Sequence, residues 1–159
     1  MAGGPAPLPP AQAVQSWTSG AKDLVMTALG RSGASRVWAT TGQGIFTEIY
    51  WPAVDQPQVK DLGFLIGGTG WWQEVKRAGH YTLSTPEPGL MLPAIVHTGS
   101  SQAYELTLRP VVDPDHDALL IEYELAGEGV RLYPLLAPSA AHCGSGVIWP
   151  MPRCGASNG

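Results

Sequence analysis

AYELTLRPVVDPDHDALLIEYELA, residues 103–126, decides the fold class. Tyr104, Leu106 and Leu108 alternate with Glu105, Thr107 and Arg109. That period of two puts one set on a core and the other in water, as in an antiparallel sheet. DPDHD then reads as a turn, because Asp and Pro at these positions close a chain reversal between two strands. Outward from this pair the signature recurs: WWQEVKR, HYTLST and LPAIVHT before it, VRLYPLLA after it, each bounded by Gly, Pro, Ser or Asp clusters. VRLYPLLA is apolar on both faces, which implies a strand covered on both sides or lying under a partner domain.

Nearer the N-terminus, SRVWATT and IFTEIYW flank Gly42-Gln43-Gly44, a link short enough for a hairpin. Ile45, Thr47, Ile49 and Trp51 share one strand face there, and Phe46, Glu48 and Tyr50 the other. Pro52 and Pro57 bound an irregular loop. VKDLGFLI follows as a strand ended by Gly67, Gly68 and Gly70. Short strands with short links, no long amphipathic helix and no fixed repeat describe an all-β antiparallel sandwich. AKDLVMTAL, residues 21–29, is the exception: good helix formers closed by Gly30 predict a short helix. Residues 1–16 read as a flexible Pro/Ala-rich leader.

The 159 residues suffice for one domain, and six Trp with 44% apolar content suffice for its core. Nine basic against thirteen acidic side chains give a formal charge of −4 with no basic run. Nucleic acid and anionic membrane surfaces need a positive face, so neither is an expected partner. No apolar run approaches a membrane span. MAGGPAPLPPAQAVQ carries neither a charged n-region nor an apolar h-region; no signal peptide is visible, and the cytoplasm is the default expectation. Cys143 and Cys154 have no neighbouring Cys/His pair to build a zinc site and read as free thiols.

Several constellations offer chemistry and are better explained without it. Asp113, Asp115, Asp117 and Glu124 echo a calcium loop, but Ala118 replaces the obligatory glycine and apolar strand residues follow. GQG and GGTG lack the Lys-Ser/Thr ending and the helix of a phosphate cradle. His80, His97, His116 and His142 have no metal spacing, and Ser100 and Ser101 near His97 lack a nucleophile elbow. Glu48, Asp55 and Asp61 read as surface or turn carboxylates rather than a glycosidase pair. No cofactor is implied. Trp71, Trp72 and Tyr81 are flat amphipathic groups able to stack on sugar rings, and their ordinary role is to fill a core or an interface.

Residues 35–66, SRVWATTGQGIFTEIYWPAVDQPQVKDLGFLI, resemble the N-terminal domain of bacterial glucoamylases and glucodextranases of glycoside hydrolase family fifteen. Those domains carry N-G-x-x-x-E-V-Y-Y-P followed by D-x-P-Q-x-R-D-L. Gly44, Glu48, Ile49, Tyr50, Trp51 and Pro52 match the first string; Asp55, Pro57, Gln58, Lys60, Asp61 and Leu62 match the second. Gln43 and Trp51 stand where Asn and Tyr are usual, and Lys60 replaces Arg, which weakens bidentate carboxylate pairing. SWTSGAKD, DPDHDALLIEYEL and VRLYPLLAP follow the family in the same order, so the resemblance spans residues 16–138. It implies an extended conformation for the AKD stretch, against local propensity.

The resemblance also implies a β-sandwich packed on a separate (α/α)6 barrel that hydrolyses terminal α-glucosidic bonds. No barrel sequence is present, so no catalytic residue carries over and the chain alone is expected to be non-enzymatic. Tyr50, Trp51, Pro52, Asp55, Gln58 and Asp61 are the expected contact with that barrel. The rival reading is a free-standing sugar-binding module for α-glucan using Trp71, Trp72 or Tyr81. AAHCGSGVIWPMPRCGASNG, residues 140–159, departs from the family, so residues 139–159 read as an irregular, truncated or frameshifted tail. Missing strands would leave open sheet edges and favour self-association.

Overall fold

The computed structural model describes residues 21–30, 33–87 and 92–139. The 103–126 stretch forms β10 (Glu105–Asp113) and β11 (Ala118–Ala126), paired in unbroken antiparallel register from Glu105↔Ala126 to Asp113↔Ala118. β9 (Ala94–Gly99) and β8 (Gly79–Ser84) extend this meander, giving a four-stranded sheet in the order β11-β10-β9-β8. Leu106 and Leu108 are fully buried while Glu105 and Arg109 are exposed, as the alternation requires; Thr107, expected on the wet face, is buried between Val96 and Glu124 of the flanking strands.

The other sheet has six strands. β1 (Leu24–Met26), β4 (Trp38–Gly42), β5 (Ile45–Tyr50), β6 (Pro57–Gly68) and β12 (Arg131–Pro138) lie in that order, and β7 (Trp71–Glu74) also pairs with β6. β12 runs along β6 from Val59 to Gly67, so β5 and β7 share the opposite edge of that long strand. β2 (Leu29–Gly30) and β3 (Gly33–Ala34) form a separate small ladder. Between the sheets, Phe46, Phe64 and Ile66 meet Ile95, Leu106 and Leu108 in one core. Phe46 and Phe64 pack edge to face with centroids 6.5 Å apart.

Two local expectations fail for tertiary reasons. Residues 21–29 form no helix; β1 pairs Leu24–Met26 with Ala39–Thr41 and buries Met26. Nine residues are too few for a stable isolated helix, and pairing buries the methionine that a surface helix would leave wet. The extended form implied by the family resemblance is the one observed. WWQEVKR is a strand only to Glu74; Val75–Ala78 form the helical turn α1, which buries Val75 and carries the chain to the second sheet.

β12 overturns the first of its two expected settings, cover on both sides within this chain. Tyr133, Leu135 and Leu136 are all exposed, while Leu132 packs against the core. Its neighbour across the mouth of the sandwich is covered in part: Leu119, Ile121 and Leu125 of β11 pack against the core. Tyr123 of β11 sits opposite the fully buried Leu108, on the core side of the sheet, yet is 58% exposed. β11 and β12 are the end strands of their sheets and are joined by residues 127–130, so the sandwich is open along this side.

Candidate functional site

Two regions at opposite ends of β6 collect the residues that chemistry could use. At its start, residues 51–57 form a loop closed on itself. Trp51 N–H donates to Gln56 O at 3.1 Å, Gln56 N–H to Ala53 O at 3.0 Å, and Gln58 Nε2 to Trp51 O at 2.7 Å. The Trp51–Pro52 bond is cis. Asp55 and Val54 form the exposed tip. Ser139 N–H donates to Gln58 O at 2.8 Å, so the end of β12 is tied to the same loop.

Trp51 itself faces inward, half-buried against the core, with the Arg36 guanidinium 5.5 Å from its ring centroid. Arg36 pairs with Asp117, its Nε donating to Oδ1 at 3.3 Å. That pairing holds the Asp117 carboxyl below the usual carboxylate range. Trp51, Arg36 and Asp117 therefore clip the β5 end to the β10–β11 turn, with Asp117 in the left-handed region that Asp tolerates. No periodicity could announce a contact between positions 81 residues apart.

Of the carboxylates weighed as catalytic, Asp55 sits at the exposed loop tip, and Glu48 and Asp61 are engaged. Glu48 pairs with Lys22 at 2.7 Å and accepts Tyr50 Oη at 2.7 Å. Burial, and then that hydrogen bond, push the Tyr50 hydroxyl up to about 12. Asp61 pairs with Lys76 at 2.7 Å. Asp113 Oδ1 accepts the N–H groups of Asp115 at 2.9 Å and His116 at 3.2 Å, the Asx turn expected of an Asp-Pro-Asp reversal. Among the described residues no group of three or more His, Cys, Asp or Glu side chains could hold a metal. Ser101 accepts from Gln73 at 3.1 Å. His97 lies fully buried, its Nε2 2.7 Å from Gly44 O, and burial lowers its pKa. His142, Cys143 and Cys154 lie outside the described residues.

At the far end of β6, alternation separates the two adjacent tryptophans. Trp71 turns inward and stacks on Tyr104 at 6.4 Å and 17°. Trp72 turns outward and is 71% exposed. Trp72, Gly67 and Arg131 lie side by side in register, and Glu74, Leu65 and Tyr133 form the next row of the same face. A groove of about 410 Å³ runs between them, lined by Leu65, Gly67, Trp71, Trp72, Arg131 and Tyr133, with Gly68, Thr69 and Gly129 at its rim. Tyr81 is not part of it. Its hydroxyl donates to Asp23 at 2.9 Å and its ring leans on His97 at 5.9 Å. Tyr133 and Arg131 are the groove residues that sequence reading missed, because their place depends on β12 returning to β6.

The hairpin, the loop it leads into and the open sandwich are a family's architecture. The family described as glucodextranase, domain N, matches residues 6–147. The chain belongs to this family. A crystal structure of a bacterial glucoamylase complexed with acarbose shares the fold of this glucodextranase N domain, with a TM-score of 0.70 at 22% identity. The similarity covers 77% of this chain and 19% of the glucoamylase chain. The N domain thus spans about a fifth of the solved protein it resembles. No curated protein matches.

Proposed function

We propose that this glucodextranase N domain supports and shapes a catalytic (α/α)6 barrel of a glucoamylase-like, α-glucan-hydrolysing enzyme, and performs no hydrolysis itself. The observation that carries this reading is the bare side of the sandwich. Tyr123, Leu135 and Leu136 are apolar groups that a self-sufficient domain would cover, since each large side chain buried contributes roughly 1.5–3 kcal/mol. The contact extends onto the loop of Tyr50, Pro52, Asp55, Gln58 and Asp61, to which the end of β12 is tied. Trp51 acts from beneath, holding that loop against Arg36.

The test uses a full-length relative with the matching loop. Replacing the aromatic residue equivalent to Trp51, a tyrosine in the usual family motif, by Ala lowers the thermal stability of the whole enzyme and its activity together. Unchanged activity and melting temperature would sink the supporting role. The 159-residue chain is expected to leave p-nitrophenyl α-glucoside unhydrolysed.

A further inference from the structure

We infer that the outer face of β7-β6-β12 is a binding site for a neutral hexose chain, with Trp72 and Tyr133 as its stacking walls and Gly67 as its floor. Gly67 lies between Trp72 and Arg131, so the central strand contributes no side chain where its neighbours contribute large ones. A Cβ on Gly67 would stand 3.1 Å from Tyr133 Cε2, so the tyrosine ring leans over the bare backbone. The bare backbone at Gly67, overhung by the Tyr133 ring and bordered by Leu65 and the exposed Trp72, leaves a groove for a flat ligand.

The lining chooses the ligand class. The weakly positive C–H bonds on a pyranose face complement the negative π faces of Trp72 and Tyr133. Arg131 and the Thr69 hydroxyl at the rim supply donors for ring hydroxyls. The groove falls within the size range of small-molecule sites. It also continues: a second hollow of about 270 Å³, lined by Asp61, Gly63, Glu74, Leu135, Leu136 and Ala137, follows along the same face. From Gly67 to Asp61 the strand spans roughly 20 Å, which suits a linear chain of sugars rather than a single ring. Asp61 and Glu74 there offer acceptors for hydroxyls. The Trp72–Gly67–Tyr133 part of the site lies at the opposite end of β6 from the Trp51 loop, and shares no residue with the proposed barrel contact.

The experiment is a titration of the 159-residue chain with maltotriose, followed by saturation-transfer and amide-shift NMR. The expected Kd is on the order of 1 mM, about −4 kcal/mol, as befits an open groove. Amide shifts should gather at Gly67, Gly68, Thr69 and Arg131, and spare Gly44 and Tyr81. W72A and Tyr133→Leu should each weaken binding at least about tenfold, while Tyr81→Leu leaves it unchanged. Trp72 is exposed, so its variant retains the amide spectrum of the folded chain. No saturation transfer at about ten times that Kd, or binding that survives both groove substitutions, would overturn the site.

Discussion

At the β4–β5 hairpin and along the β11–β12 side, the molecule treats similar residues in opposite ways. The hairpin turn is closed to the limit of space. Gln43 and Gly44 take φ of 57° and 74°, the left-handed pair of a tight two-residue turn. Gly44 then meets His97 and Tyr81 of the other sheet, so one turn locks the two layers together. Across the molecule, Tyr123 and Leu136 project from core-side positions into water. An aromatic ring costs nothing to place in either setting by strand propensity. The difference lies in what the chain brings against it, and on the open side the described residues leave Tyr123 58% and Leu136 38% exposed.

The hardest blow to this contrast is Gly44→Ala. Its Cβ would fall 2.4 Å from His97 Cε1 and 2.8 Å from Tyr81 Cγ, in a conformation that L-residues avoid. A loss of about 2–4 kcal/mol is expected from strain plus overpacking, read as a fall in the urea midpoint. A loss under about 0.5 kcal/mol would show that the hairpin end is not locked.

Acid should loosen the same lock. Burial holds the folded-state pKa of His97 below its unfolded value, so the unfolded chain takes up the proton first. Stability is therefore full above about pH 6.5 and falls as pH drops towards the folded-state value. The exposed His116–Asp113 pair pulls the other way, but solvent screens it. The melting temperature should decline from about pH 7 to pH 5, and His97→Gln should flatten that decline. A profile equally steep in the variant would assign the effect elsewhere.

The smallest effect is expected on the open side. Tyr123→Ser with Leu136→Ser should change the stability of the monomer by less than about 1 kcal/mol, because neither side chain is buried in it. The same pair should shift sedimentation towards monomer, since bare end strands and apolar groups promote self-association. If the double variant instead unfolds the chain, the two regions are not different in kind.

Much of the fold could be read directly. Alternation in 103–126, the turn at Asp113 and the Gly42-Gln43-Gly44 hairpin each depend on residues close in sequence, and all three formed as their patterns require. The candidate sites were legible only in part. Trp72 is exposed and able to stack, yet Trp71 beside it is stacked on Tyr104 and Tyr81 is bound to Asp23. Aromatic identity alone could not distinguish the three. Residues 21–29 misled because helix propensity amounts to tenths of a kcal/mol per residue, less than burial of Met26 contributes.

By itself the sequence determined the class of fold, its strand periodicity and its family, because these follow from side-chain alternation, turn chemistry and short motifs. Only the tertiary structure decided which strands neighbour β6. That choice sets Arg131 and Tyr133 beside Trp72, joins Arg36 to Asp117 under Trp51, and leaves Tyr123 of β11 and Leu136 of β12 exposed. The reason is physical: pairing between distant segments is selected by the burial they achieve together, and no single segment carries that information.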